Sequence, residues 1–444
     1  MLALVPMASS VKLLFLCFLS LFISFSIAQP SFRPKALVLP VTKDVSASVP
    51  QYVTQIKQRT PLVPVKLTVD LGGGYFWVNC EKGYVSSTSK PARCGSAQCS
   101  LFGLYGCNVE DKICSRSLSN TVTGVSTFGE IHADVVAINA TDGNNPVRVV
   151  SVPKFLFICG ANVVQNGLAS GVTGMAGLGR TKVSLPSQFS SAFSFLRKFA
   201  ICLSSSTMTN GVMFFGDGPY NFGYLNSDLS KVLTFTPLIT NPVSTAPSYF
   251  QGEPSVEYFI GVKSIRVSDK NVPLNTTLLS IDRNGIGGTK ISTVNPYTVL
   301  ETTIYKAVSE AFVKAVGAPT VAPVAPFGTC FATKDIQSTR MGPAVPDINL
   351  VLQNEVVWSI IGANSMVYTN DVICLGFVDA GSDPSTAQVG FVVGYSQPIT
   401  SITIGAHQLE NNMLQFDLAT SRLGFRSLFL EHANCANFNF TSSA

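Results

Sequence analysis

Two short runs have the residue types for acid–base chemistry. Val69-Asp70-Leu71-Gly72-Gly73 reads as a strand ending in a tight turn, and Ile291-Ser292-Thr293-Val294-Asn295 holds the corresponding place further on. The correspondence rests on an internal repeat. Asp70 is followed about a hundred residues later by Met175-Ala176-Gly177-Leu178-Gly179, and Ser292 by Ile402-Thr403-Ile404-Gly405. In each copy an apolar-apolar-Gly element lets a strand pass close behind the loop, where only glycine fits. Two carboxylates at such loops would share one proton and activate one water, because like charges about 3 Å apart cannot both ionise. Here Asp70 faces Ser292, and a hydroxyl cannot take the proton of water near neutral pH. The missing partner favours a structural Asp70 whose carboxylate accepts hydrogen bonds from turn amides and nearby hydroxyls.

Other chemistry lacks its parts. His132, His407 and His432 are scattered without ligand spacing, so no metal site is expected. No Gly-x-Ser-x-Gly elbow occurs, and Gly72-Gly73-Gly74 lacks the Lys and helix start of a phosphate loop. No cofactor is expected.

The elements that would position Asp70 and Ser292 are mostly strands. Alternating or β-branched runs cover 36–41, 63–69, 130–138, 155–159, 212–215, 258–267 and 389–393, separated by Gly, Pro, Asn and Asp. Helical patterning is confined to 185–195, with Pro186 near its first turn, and 303–316, where Ile304, Val308, Phe312 and Ala315 form an apolar stripe. The chain of 444 residues exceeds a single core, which predicts two strand-rich halves, 29–225 and 226–444, with the crossing between 217 and 234.

Apolar residues make up 46% and charged residues 12%, a profile that excludes disorder. An apolar run after Lys12 ends at Ser26-Ile27-Ala28, which predicts a signal peptide over 1–28, secretion, and no membrane attachment after cleavage. Removing it takes Cys17 and leaves ten of the eleven cysteines, an even number suited to disulfides in an oxidising compartment. Cys94, Cys99, Cys107 and Cys114 lie within 21 residues, and the absence of a neighbouring His favours staples over zinc. Asn139, Asn275 and Asn439 open glycosylation sequons. The net charge of +5, without a Lys/Arg block, gives nucleic acid no footprint.

Longer runs carry a family resemblance. Gln58-Arg59-Thr60-Pro61-Leu62-Val63, Asp70-Leu71-Gly72-Gly73, Glu257-Tyr258-Phe259-Ile260-Gly261, Asn295-Pro296-Tyr297-Thr298 and Gln415-Phe416-Asp417-Leu418-Ala419-Thr420 are similar to the plant pepsin-fold group of extracellular dermal glycoprotein, xyloglucan-specific endoglucanase inhibitors and basic 7S globulins. The resemblance spans about Ser31 to Thr441. It implies an all-β, bilobal pepsin-like aspartic protease fold, an apoplastic or cell-wall location, and a monomer. It also implies a non-proteolytic role in plant defence, the binding and inhibition of cell-wall-degrading glycoside hydrolases of the endoglucanase/xyloglucanase class, with a microbial or plant glycoside hydrolase as protein partner. The alternatives are an apoplastic binding or storage protein of basic 7S type and a weak aspartic endopeptidase.

By the same resemblance Cys80 pairs with Cys159, Cys202 with Cys435 and Cys330 with Cys374. Hydrolase-facing loops fall at 317–327 and 396–403, around Thr320 and Ile399. Several features depart from the family pattern. There are two fewer mature cysteines than in close relatives, and no cation stands at Thr320 or Ile399. The loop 379–400 is longer than expected, with an insertion around 388–396. Leu71 replaces a loop-tying Thr, and the expected flap, 117–127, has no Tyr. About forty residues separate the cleavage site from Asp70, which leaves no room for a prosegment.

Overall fold

The computed structural model describes residues 32–223, 228–381 and 400–441. The expected signal peptide, the expected 225/226 boundary, the run 389–393, the expected insertion around 388–396 and Ile399 lie outside the described residues.

Six strands join the halves. Their order is Ala36–Asp44, Gly211–Gly216, Lys198–Cys202, Asn412–Asp417, Arg422–Ser427 and Thr234–Ile239, all antiparallel neighbours, three from each half. Lys198 sits opposite Asp417 and Cys202 opposite Met413 at the central seam. Phe199 stacks on Phe416 with ring centroids 4.8 Å apart, and Tyr258 packs on the same Phe416 at 4.6 Å. Both faces of the seam are buried, so its strands read as near-continuous apolar runs such as Val212 to Phe215.

The two site-bearing motifs repeat one topology. In the first half the strand Val63–Asp70 runs parallel to Val172–Gly177, which pairs antiparallel with Phe76–Asn79. In the second half Thr289–Ile291 runs parallel to Ile402–Ile404, which pairs antiparallel with Thr298–Leu300. The glycines of the repeat mark the tightest approaches. A Cβ on Gly177 would lie 2.1 Å from the Tyr75 carbonyl oxygen, and one on Gly405 would lie 2.2 Å from the Tyr297 carbonyl carbon.

The helices end where local chemistry stops them. The first spans Leu185–Phe193 and closes at Ser194 in the left-handed region, two residues short of the apolar pattern. The second, Thr302–Val316, begins with the Glu301 carboxylate accepting from the Thr303 and Ile304 amides and ends at Gly317 with φ 70°. The run 258–267 is not one strand. Tyr258–Ile260 pairs with Thr289–Ile291, whereas Val262–Val267 pairs with Ile348–Leu352, and the chain changes sheets at Gly261. Alternation alone carries no mark of that switch.

Among the described residues five disulfides link Cys80–Cys159, Cys94–Cys107, Cys99–Cys114, Cys202–Cys435 and Cys330–Cys374. Cys202 lies on the seam, and its bond to Cys435 closes a sequence separation of 233 residues. A loop of that length restricts the unfolded chain strongly. Cys202→Ala/Cys435→Ala is expected to lower unfolding free energy by about 2–5 kcal/mol, read as a lower urea midpoint. An unchanged midpoint would show that the seam needs no covalent tie.

Candidate functional site

Asp70 ends its strand with a side chain only 2% exposed. The turn that follows wraps its carboxylate: the Gly72 amide donates to Oδ1 at 2.9 Å. The loop is tight enough that a Cβ on Gly73 would fall 2.5 Å from Oδ2. Thr121 donates its hydroxyl to Oδ2 at 2.7 Å. Burial pushes the Asp70 carboxyl up from 3.8 to about 6. The Thr121 and turn-amide hydrogen bonds oppose that rise, and the nearby Glu257 charge adds to it.

Ser292 is engaged in its own loop. Its hydroxyl donates to Asn295 Oδ1 at 2.8 Å and accepts from the Val294 and Asn295 amides at 3.2 and 3.1 Å. It thus serves as a turn-former, with its hydrogen already committed. Thr293, the next residue, bridges the two loops: its hydroxyl donates to the Val69 carbonyl at 2.7 Å and accepts from the Leu71 amide at 3.1 Å. Leu71 has no hydroxyl to return the contact and is fully buried in the core instead. Half of the tie between the loops is therefore present, from the side that sequence reasoning passed over.

Thr121 reaches Asp70 from a hairpin formed by Cys114–Ser119 and Ser126–Thr141, with Ser119 opposite Ser126. Asn120 fixes its turn. Its side-chain amide donates to the Val164 and Asn166 carbonyls, both at 2.9 Å, and its side-chain oxygen accepts from the Val122 amide at 3.0 Å. The hairpin is also fastened to the second half. Arg116 donates from Nη2 to both carboxylate oxygens of Glu253 at 2.7 and 2.9 Å, its guanidinium lies 4.5 Å from the Phe250 ring centroid, and Ser117 meets Ser248 hydroxyl to hydroxyl. Arg116 is nearly fully buried and Glu253 partly so, and a charge-assisted pair in that position is stronger than one in water. The turn from 120 to 125 sits over Asp70 and the strap around 248–253 holds the hairpin down.

Sequence reasoning also missed a buried ion pair beside Asp70. Glu257 accepts from Lys290 at 2.9 Å and from Ser255 at 3.2 Å, and also bonds the Thr245 hydroxyl. Glu257 Oε1 and Asp70 Oδ1 lie 3.1 and 3.5 Å from the point where a Cβ on residue 72 would stand. The arrangement places a second carboxylate near Asp70, but Lys290 holds it. Phe259 pairs with Lys290 across the sheet, so strand register brings Lys290 to Glu257. An isolated Lys-Ile-Ser run carries no mark of that partnership.

The remaining candidates lie apart from Asp70. Thr320 is exposed on the short strand Thr320–Val321, which pairs with Cys330–Ala332. Asn275 and Asn439 are exposed, and each accepts from the amide and hydroxyl of the Thr two residues on. Asn139 lies within a strand opposite Val149 and Val38, and its sequon Thr141 is buried. Among the described residues no group of His, Cys, Asp and Glu could hold a metal ion, and no helix is long and apolar enough to cross a membrane.

Comparisons with known proteins cover nearly the whole chain. Residues 52–217 match the xylanase inhibitor N-terminal family and 257–427 the xylanase inhibitor C-terminal family. A probable aspartic proteinase GIP2 of Nicotiana benthamiana is 56% identical over 99% of this chain and 100% of that protein. The basic 7S globulin of Glycine max is 36% identical over 96% of this chain and 97% of its own length. The crystal structure of edgp, 56% identical, superposes with a TM-score of 0.85 over 93% of this chain and 100% of that one. An aspartic proteinase from Irpex lacteus, 17% identical, shares the bilobal pepsin-like fold at a TM-score of 0.52 over 88% of this chain and 97% of its own.

The raised Asp70 carboxyl has a thermodynamic consequence. Above about pH 4 the unfolded chain ionises this group, while the folded chain keeps it protonated to about pH 6. The folded state is favoured by protonation, so this contribution is full below pH 4 and lost as pH rises through 6. A shift of that size corresponds to about 3 kcal/mol. Asp70→Asn keeps the shape and both hydrogen bonds, with its amide donating to Thr121. The variant should match wild type at about pH 3.5 and exceed it at pH 7 by up to about 3 kcal/mol, measured by chemical denaturation. Parallel pH profiles would contradict this account of Asp70.

Proposed function

Since the chain belongs to the pepsin-fold family built from xylanase inhibitor N- and C-terminal domains, we propose that it is a secreted, catalytically silent member that binds and inhibits a cell-wall-degrading glycoside hydrolase of the endoglucanase, xylanase or xyloglucanase class. The observation that carries the silent half of this reading is the pairing of a hydroxyl-capped Asp70 with Ser292. No second carboxylate is free to share a proton, and Thr121 occupies the Asp70 oxygen that a water would need. The family descriptions support the hydrolase half. The division into lobes 29–225 and 226–444 and an apoplastic location belong to the same proposal.

Inhibition would work through surface loops outside the closed protease cleft. Such hydrolases cut with paired carboxylates, which a cationic or hydrogen-bonding loop can engage. The loop containing Thr320 follows the helix Thr302–Val316 and is anchored by pairing with Phe331, so it would lose little freedom on binding. Thr320 and Ile399 bring no cation, and truncating one partner of a buried charge pair costs about 2–5 kcal/mol. The reading therefore favours a hydrolase other than the xyloglucan-specific type. A binding or storage role of basic 7S type is the second reading, supported by the likeness to that globulin along nearly its full length.

Two experiments test this function. Denatured globin incubated with the purified protein at about pH 3–5 should stay uncut, and Ser292→Asp should cut no better, because Thr121 and the Arg116–Glu253 clasp remain. Pepstatin-sensitive cleavage by the wild type would overturn the silent reading. A pull-down from fungal culture filtrate should capture a glucanase or xylanase that the protein inhibits, with xyloglucan-specific enzymes inhibited weakly. Failure to capture or inhibit any glycoside hydrolase would remove the inhibitor reading and leave the basic 7S type.

A further inference from the structure

A cavity of about 420 Å³ lies away from Asp70 and draws on both halves. Lys43 and Tyr52 come from the first two strands. Tyr297, Met366, Tyr368, His407 and Glu410 come from the second half. Its size suits a small organic ligand.

Glu410 organises the polar side. Its carboxylate is 3% exposed and accepts from Lys43 at 2.6 Å, from the Tyr52 hydroxyl, and from His407 Nδ1 at 3.2 Å. Burial alone would push Glu410 up; the hydrogen bonds and charges of His407 and Lys43 outweigh it and hold the carboxyl below its usual range. His407 Nε2 faces the Met366 carbonyl at 3.0 Å. Both ring nitrogens of His407 are thus engaged, and Lys43 is the cation that faces Glu410.

What remains unspent is donor capacity. Glu410 has both oxygens occupied and His407 both nitrogens. Lys43 uses one of its three hydrogens, and the Tyr297 hydroxyl makes no hydrogen bond among the described residues. Ser205 and Ser338 add two hydroxyls to the rim, and the other walls are aromatic or apolar. Tyr297 is half-buried, Met366 is buried, and Tyr368, 57% exposed, stands where solvent reaches the cavity. The complement to the spare Lys43 hydrogens, the Tyr297 hydroxyl and the aromatic walls is an anion on an aromatic body.

We propose that this cavity is a binding site for a small aromatic carboxylate, whose carboxylate meets the spare hydrogens of Lys43 and whose ring lies on the Tyr297, Met366 and Tyr368 walls. Nothing in the loops around Thr320 or in the loops of Asp70 and Ser292 is needed for it, so it stands or falls apart from the hydrolase reading.

The full secreted protein titrated calorimetrically with 4-hydroxybenzoate should show saturable binding with a Kd at or below about 1 mM. The neutral methyl ester should bind at least tenfold more weakly. Lys43→Gln should bring the acid down to the affinity of the ester, and Tyr368→Ala, an exposed change that leaves the Glu410 cluster intact, should weaken the acid severalfold. If Lys43→Gln fails to fold, the acid–ester contrast and Tyr368→Ala decide. Absence of saturation, equal affinity for acid and ester, or binding unaffected by Tyr368→Ala would overturn the proposal.

Discussion

The Thr293 hydroxyl is the joint on which the centre of this molecule depends. It donates to the Val69 carbonyl and accepts from the Leu71 amide, so one side chain of the second half fixes the backbone on both sides of Asp70. The six-stranded seam beneath it fixes how the halves meet. With backbone and seam held together, Asp70 cannot move without breaking buried hydrogen bonds, each of which is costly to leave unmade. A carboxyl confined in this way is turned over to local structure: the turn amide and Thr121 take its oxygens, and burial favours its protonated form.

The hairpin above Asp70 completes the enclosure. In a working cleft such a hairpin must lift to admit a chain. Here it is held by Asn120 to the segment 164–166, by Thr121 to Asp70, and by Arg116 to Glu253 and Ser117 to Ser248 across the two halves. The Glu257–Lys290 pair fills the neighbouring polar space. Asp70 and the Ser292 loop therefore lie between a closed floor and a closed roof. A single substitution at Ser292 addresses neither.

Much of this was legible in the sequence because it depends on short-range rules. Paired Asp70 and Ser292 loops, the apolar-apolar-Gly repeats at Gly177 and Gly405, and the strand-rich bilobal class follow from spacing and composition. The helix stop at Ser194 was not legible because a serine carries no mark of a left-handed cap, nor was the sheet switch at Gly261, which tertiary pairing decides. The site's defining contacts were hidden for the same reason. Thr121 is an ordinary turn residue until the hairpin folds over Asp70. Arg116 and Glu253 are 137 residues apart, and Glu410 meets Lys43 across 367. Partners so distant in sequence leave no periodic signature.

The central claim is that the hairpin stays fastened over a structural Asp70, and hydrogen–deuterium exchange of its amides measures this most directly. The account predicts that the turn amides between Asn120 and Val125 exchange about as slowly as the flanking strand amides, and that added pepstatin changes nothing. Fast exchange in the turn that slows when pepstatin is added would show an opening, ligand-accepting cleft and would contradict the account.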